Sequence, residues 1–160
     1  MTGNGFTTCL WFDGQAEEAA QYYTSIFPGS SIGKTSRYTE AGPGEPGSVI
    51  VVEFELNGQK FVGLNGGPQF TFNESISFQI FCDDQAEVDR YWEELTSGGG
   101  EESQCGWVKD RFGVSWQVIP KGLTDLVGDP DPEKARRATE AMLSMRKLDL
   151  HEIEKAHAGG

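Results

Sequence analysis

The chain has 160 residues, 13 of them Lys or Arg and 25 Asp or Glu, for a net charge of -12. That balance repels nucleic-acid phosphates and anionic membrane surfaces, so neither is an expected partner. A folded chain of this length buries roughly 68–70% of the surface its unfolded form exposes, enough for a core without staples. Cys9, Cys82 and Cys105 are odd in number and lack metal or disulfide spacing, as expected of reduced thiols. No apolar run approaches membrane-spanning length and the start MTGNGFTT lacks a basic-then-apolar signal, so a cytoplasmic location is expected.

In chain order, Phe6 to Phe12 alternates as a strand. Gln15 to Phe27 places Ala16, Ala19, Ala20, Tyr23 and Phe27 on one helical stripe, and Pro28-Gly29 stops that helix. Ile32 to Tyr38 reads as a second strand, followed by an AGPGEPG loop. Val49 to Leu56 and Lys60 to Leu64 are strands joined by Asn57-Gly58, two residues that tolerate the positive φ of a tight hairpin. Ser75 to Cys82 predicts another strand. Gln85 to Ser97 predicts a helix with Val88, Tyr91, Trp92 and Leu95 at i, i+3, i+4, i+7, closed by Gly98-Gly99-Gly100. Short strands near Glu102 and Trp107 lead through an Asp110-Arg111-Phe112-Gly113 turn into Val114 to Ile119. Beyond Pro120 only helix is expected: Asp131-Pro132 caps and opens one, with Ala135, Ala138, Met142 and Met145 as a packing stripe, and Asp149 with Glu152 resembles a capping box for a last one.

The pattern repeats. TTCLWFDGQAEEAAQYY and SFQIFCDDQAEVDRYW superpose with a shift of 70, placing Asp13 on Asp83, Gln15 on Gln85, Ala16 on Ala86, Glu17 on Glu87 and Tyr22 on Trp92. The expected fold is therefore α+β, with two βαβββ modules at about 6–66 and 75–120 within residues 1–120, then a C-terminal helical extension at 121–160. Alternation sorts each first strand into a helix-covered face and a mixed face. Thr7, Cys9 and Trp11 fall on the mixed face of the first half, and Ser77, Gln79, Phe81 and Gln117 on that of the second. Aromatics with a few hydroxyls and amides are what a small-molecule cavity needs, so these seven are the candidate ligand residues. A half-open sheet must be closed by a partner or by the other half, which makes a homodimer the expected state.

The segments WFDGQAEEA, LNGGPQFTFNESISFQIFC, EVDRYWEEL and QCGWVKDRFGVSWQVIP resemble the PhnB-like family, labelled 3-demethylubiquinone-9 3-methyltransferase-like, of the vicinal oxygen chelate superfamily, which also holds glyoxalases, extradiol dioxygenases and bleomycin-resistance proteins. The resemblance runs from about Thr7 to Pro120, and the tail from Asp131 is similar to that of the longer members. It implies a glyoxalase/bleomycin-resistance fold, and in the enzymes of the superfamily His and Glu side chains on the inner strands hold a divalent metal. The matching positions here are Thr7, Val62 or Gly63, Ser77 and Gln117, none a good transition-metal ligand, and the two histidines, His151 and His157, lie in the last ten residues. No metal and no cofactor are therefore expected.

Methyl transfer fares no better on the residues, because Gly98-Gly99-Gly100 follows a helix instead of a strand and Gly63, Gly66 and Gly67 open no helix. Cys105 has no histidine in its domain to activate it, Asp110 serves a turn, and Glu53 and Glu55 read as a solvated face. Catalytic residues stay unassigned. The expectation is a metal-independent protein binding a small, partly apolar or aromatic molecule, with a lyase, isomerase or methyltransferase of the superfamily as the alternative.

Overall fold

A computed structural model describes residues 5–160, and the chain divides into two compact units, Met1–Thr71 and Phe72–Gly160. In the first, β1 (Thr8–Phe12) leads into α1 (Ala16–Ile26), followed by β2 (Ser31–Arg37), β3 (Val49–Leu56) and β4 (Gln59–Asn65). The sheet order is β1-β4-β3-β2, with β1 parallel to β4 and the other pairs antiparallel. Asn57 and Gly58 carry φ of 49° and 87°, the left-handed pair that lets β3 turn directly into β4. Helix α1 buries Ala16, Ala19, Ala20, Tyr23 and Ile26 against Leu10, Phe12, Val52, Phe54 and Phe61. Each large side chain in that layer stabilises by about 1.5–3 kcal/mol. The layer closes tightly because β4 passes α1 at Gly63, where a methyl would stand 3.1 Å from the Ala16 Cβ. The α1 start has no side-chain cap of its own; Asn65 Oδ1 accepts from Ala16 N at 2.9 Å instead.

The second unit repeats the plan with β5 (Ser77–Cys82), α2 (Gln85–Thr96), β6 (Glu101–Glu102), β7 (Trp107–Lys109) and β8 (Ser115–Pro120), in the order β5-β8-β7-β6. Asp84 caps α2 by accepting from Glu87 N at 2.9 Å. Val88, Tyr91, Trp92 and Leu95 are buried on it, as the spacing predicts. The chain is thus α+β with two βαβββ modules of the glyoxalase/bleomycin-resistance type.

Most element ends shift by a residue or two from expectation, and three of the starts are instructive. β1 begins at Thr8, whose register partner is Phe61, leaving Thr7 ahead of the strand and Phe6 84% exposed. Ser75 is held in a turn ahead of β5, donating its backbone N–H to Asn73 Oδ1 at 2.9 Å. β8 starts at Ser115 because the Val114 N–H goes to Asp110 Oδ1 at 3.1 Å. The extension also holds a helix the periodicity missed, α3 (Leu123–Val127), ahead of α4 (Pro132–Leu143) and α5 (Leu150–Ala158). With five residues and no side-chain cap, α3 leaves almost no sequence signal. The three helices bury Leu123, Ala138, Leu148 and Ile153 together with Ile119 of β8, inside the second unit.

Candidate functional site

The face of the first sheet turned away from α1 carries Cys9 and Trp11 from β1, and Thr7 just before it. Register brings Val62 beside Cys9, and Glu53 beside Val62. Of the two positions the resemblance left open, Val62 lies on this face and Gly63 faces α1. A hollow of about 360 Å³ is lined here by Thr7, Ser31, Glu53, Glu55, Lys60 and Val62. Sequence reasoning set Glu53 and Glu55 aside as a solvated face and passed over Lys60 and Ser31. Their convergence follows from the β2–β3–β4 register, in which Glu55 lies opposite both Ser31 and Lys60, and single-strand alternation carries no such signal.

Trp11 sits farther along the same strand. Its indole N–H donates to the Gly67 carbonyl at 2.8 Å, and Phe70 meets it edge-on with ring centroids 5.0 Å apart. Gly66 is required for this approach, since any Cβ there would overlap the indole. Phe70 itself is 64% exposed, so the aromatic pair presents apolar surface to solvent.

In the second unit the four expected residues share one face, and three are joined. Gln117 Nε2 donates to Ser77 Oγ at 2.8 Å, and Gln79 Nε2 donates to Gln117 Oε1 at 3.4 Å, across the parallel β5–β8 pairing. Phe81 continues the face, 55% exposed, opposite Ile119. Trp107 stands beside Gln117 on the other side. Next to it Glu74, Glu101, Glu102, Trp107, Lys109 and Ser115 line a smaller hollow of about 110 Å³. The Glu74–Lys109 ion pair at its rim holds the Glu74 carboxyl below its ordinary range and the Lys109 ammonium above its own.

Behind this face lies a fully used carboxylate. Asp110, 2% exposed, accepts from Phe112 N at 2.8 Å and Val114 N at 3.1 Å through Oδ1, and from Trp116 Nε1 at 2.8 Å through Oδ2. It shapes the turn before β8 and anchors the core indole, which leaves it no part in proton transfer. Burial raises the Cys9 thiol above its ordinary value and pushes that of Cys82 to about 12. Both are therefore poor nucleophiles. Cys105 holds a left-handed φ of 57° and works through its backbone, donating to the Met145 carbonyl at 2.8 Å.

The family described as 3-demethylubiquinone-9 3-methyltransferase matches residues 4–119, ending before α3. No curated protein matches. Among solved structures, a PhnB protein from Bacillus cereus is similar at 37% identity and TM-score 0.67, over 73% of this chain and 99% of that one. A Pseudomonas aeruginosa protein is similar at 18% identity and TM-score 0.60, over 74% and 98%. The fosfomycin resistance protein FosX of Listeria monocytogenes, complexed with Mn(II) and sulfate ion, is similar at 18% identity and TM-score 0.50, over 74% and 91%. The last two likenesses show the fold alone.

Proposed function

The chain belongs to the 3-demethylubiquinone-9 3-methyltransferase-like, PhnB-like family of the vicinal oxygen chelate superfamily, and from that premise we propose that it binds a small, partly apolar or aromatic molecule on the open faces of its sheets, without a metal. The observation that carries the reading is the amide row of the second sheet. Ser77, Gln117 and Gln79 are aligned by direct hydrogen bonds between an exposed Phe81 and a half-buried Trp107. A side-chain amide offers two donors and an acceptor, and Gln79 spends one donor on Gln117, so the row keeps hydrogen-bonding capacity for a ligand amid apolar surface.

The metal-free part of the reading is supported by the donor set. Mn(II) belongs to the Listeria FosX structure, whereas the described residues of this chain contain no group of three or more His, Cys, Asp or Glu that could hold a metal ion. Methyl transfer, the activity in the family's description, lacks support in the turns that follow the first strand of each module: Asp13-Gly14-Gln15 and Asp83-Asp84 are not the glycine-rich strand-to-helix turn with which doubly wound folds approach a nucleoside.

Native mass spectrometry of protein purified from its own host should show a co-purifying small molecule that is lost in Gln117→Ala. Elemental analysis of the same preparation should find no stoichiometric transition metal. One dialysis-resistant Zn, Ni, Fe or Mn per chain would sink the metal-free reading, and titration with S-adenosylmethionine that gave a saturable binding heat would restore methyl transfer.

A further inference from the structure

The extension α3–α5 lies beyond the residues the family matches, yet it packs onto the candidate face. Ile119 is two residues beyond Gln117 on β8 and so projects from the same side of the sheet, opposite Phe81 in register. That side chain is 9% exposed because Leu123, Ala138, Leu148 and Ile153 close over it, whereas Phe81 beside it is 55% exposed. The helices thus cover the Ile119 end of the face and stop short of the amide row.

The cover is fastened at a few points. Gln85, at the start of α2, uses its whole amide on it and on its own helix: Nε2 donates to the Leu148 carbonyl at 2.9 Å and to Asp89 Oδ1 at 3.1 Å, while Oε1 accepts from Leu150 N at 3.0 Å. Lys147 pairs with the same Asp89 at 2.7 Å. Across the segment, Cys105 N and Gly106 N donate to the Met145 and Arg146 carbonyls at 2.8 and 2.7 Å. Both donors stand in left-handed backbone, with φ of 57° and 82°, which aims two successive N–H groups at one strip of chain. Gln15, which occupies the matching place in the first copy of the repeat, is exposed and makes no such clasp among the described residues.

We infer that α3–α5 form the end wall of the ligand face on the second sheet, and that Gln85 is the positioning residue that clasps this wall shut and so limits how far a ligand can extend past Gln117 toward Ile119. The inference rests on the reading of that face as the ligand site. It predicts that loosening the clasp lengthens the apolar surface on offer, from Phe81 alone to Phe81 with Ile119.

Hydroxyl-radical footprinting of the full chain tests the clasp without any ligand. Gln85→Ala should raise side-chain oxidation at Ile119, Met142 and Met145 by about tenfold, the shift in opening equilibrium expected when two hydrogen bonds to the segment are lost. Gln85→Glu, which keeps the acceptor for Leu150 N but sets a carboxylate against the Leu148 carbonyl and the Asp89 carboxylate, should give a rise at least as large, and Gln15→Ala none. Protection in Gln85→Ala equal to wild type would overturn the inference, as would a rise spread equally over Tyr23 and Phe54 of the first unit.

The neutral fluorescent probe N-phenyl-1-naphthylamine tests the wall. Its binding should tighten several-fold in Gln85→Ala, and Phe81→Ala in that background should remove the gain. Increased footprinting with unchanged probe affinity would show a cover that bounds no ligand face, and the inference would fall. Absence of a co-purifying molecule from wild type, or its retention in Gln117→Ala, bears on the proposed function instead, so the two failures are separable.

Discussion

Adjacent residues on β8 face opposite sides of the sheet, Trp116 toward the core and Gln117 toward the proposed ligand face. Trp116 is 3% exposed, packs against Phe78 at 5.2 Å between ring centroids and hangs its indole N–H on Asp110. Trp116→Ala should cost about 3–5 kcal/mol, as other large-to-small core changes do. Asp110→Ala, which strands a buried indole N–H and the turn amides, should cost about 2–4 kcal/mol. Gln117→Ala should shift the denaturant midpoint little, by less than about 1 kcal/mol, since its bonds to Ser77 and Gln79 are partly solvated. Chemical denaturation of the three variants checks the order, and a reversal between Trp116 and Gln117 would mean that the two faces are swapped. Cys82 adds a pH dependence. Burial pushes its thiol from an ordinary 9.0 to about 12, so the stability tied to this difference is intact below about pH 9 and is lost as pH climbs toward 12. Melting curves across that window should fall more steeply for wild type than for Cys82→Ala.

At the scale of elements, the docking of the last helices hinges on one close approach. A methyl on Gly106 would meet Leu148 Cδ1 and the Val118 carbonyl at 2.9 Å each, on a backbone with φ of 82°. Gly106→Ala should therefore destabilise by about 2–4 kcal/mol, combining left-handed strain with overpacking. Hydrogen exchange should show the loss concentrated in α5. Acid acts on the same junction: hydrogen bonds from Lys147 and Gln85 hold the Asp89 carboxyl below its ordinary 3.8, so its support is present above that value and fades as pH falls beneath it. Exchange of the 145–158 segment should quicken at about pH 3 before that of α1 does.

Most helices and the hairpin were legible in the sequence, because stripes such as Val88-Tyr91-Trp92-Leu95, caps such as Asp131 and Asp149, and Asn57-Gly58 are local signals. The Gln85 clasp was not. The repeat marked that position as special, but nothing local says that its partner lies 63 residues downstream.

For the molecule as a whole, the module plan and the two faces were readable from the 70-residue repeat, whereas the hollow at Glu53, Glu55 and Lys60 needed the strand register. Exposed Phe70 and Ile76 are apolar surface apart from the proposed ligand face, and they motivate the proposal that two copies of the chain pair. Sedimentation at micromolar concentration should then give a mass near twice 17.5 kDa, and a clean monomer would refute the homodimer. The net charge of -12 predicts no retention on heparin or anionic vesicles at physiological salt. The parallel pairing of β1 with β4 and of β5 with β8 also sets a schedule for synthesis. The strand that leaves the ribosome first in each module waits for the last, so no module can finish its sheet while its closing strand is still in the exit tunnel. β1 is the more exposed to mispairing, because it waits until Asn65 emerges, whereas β5 waits only from Cys82 to Pro120. A nascent chain stalled just past Leu56 would carry a finished α1 and an orphaned β1, the species on which a chaperone would act.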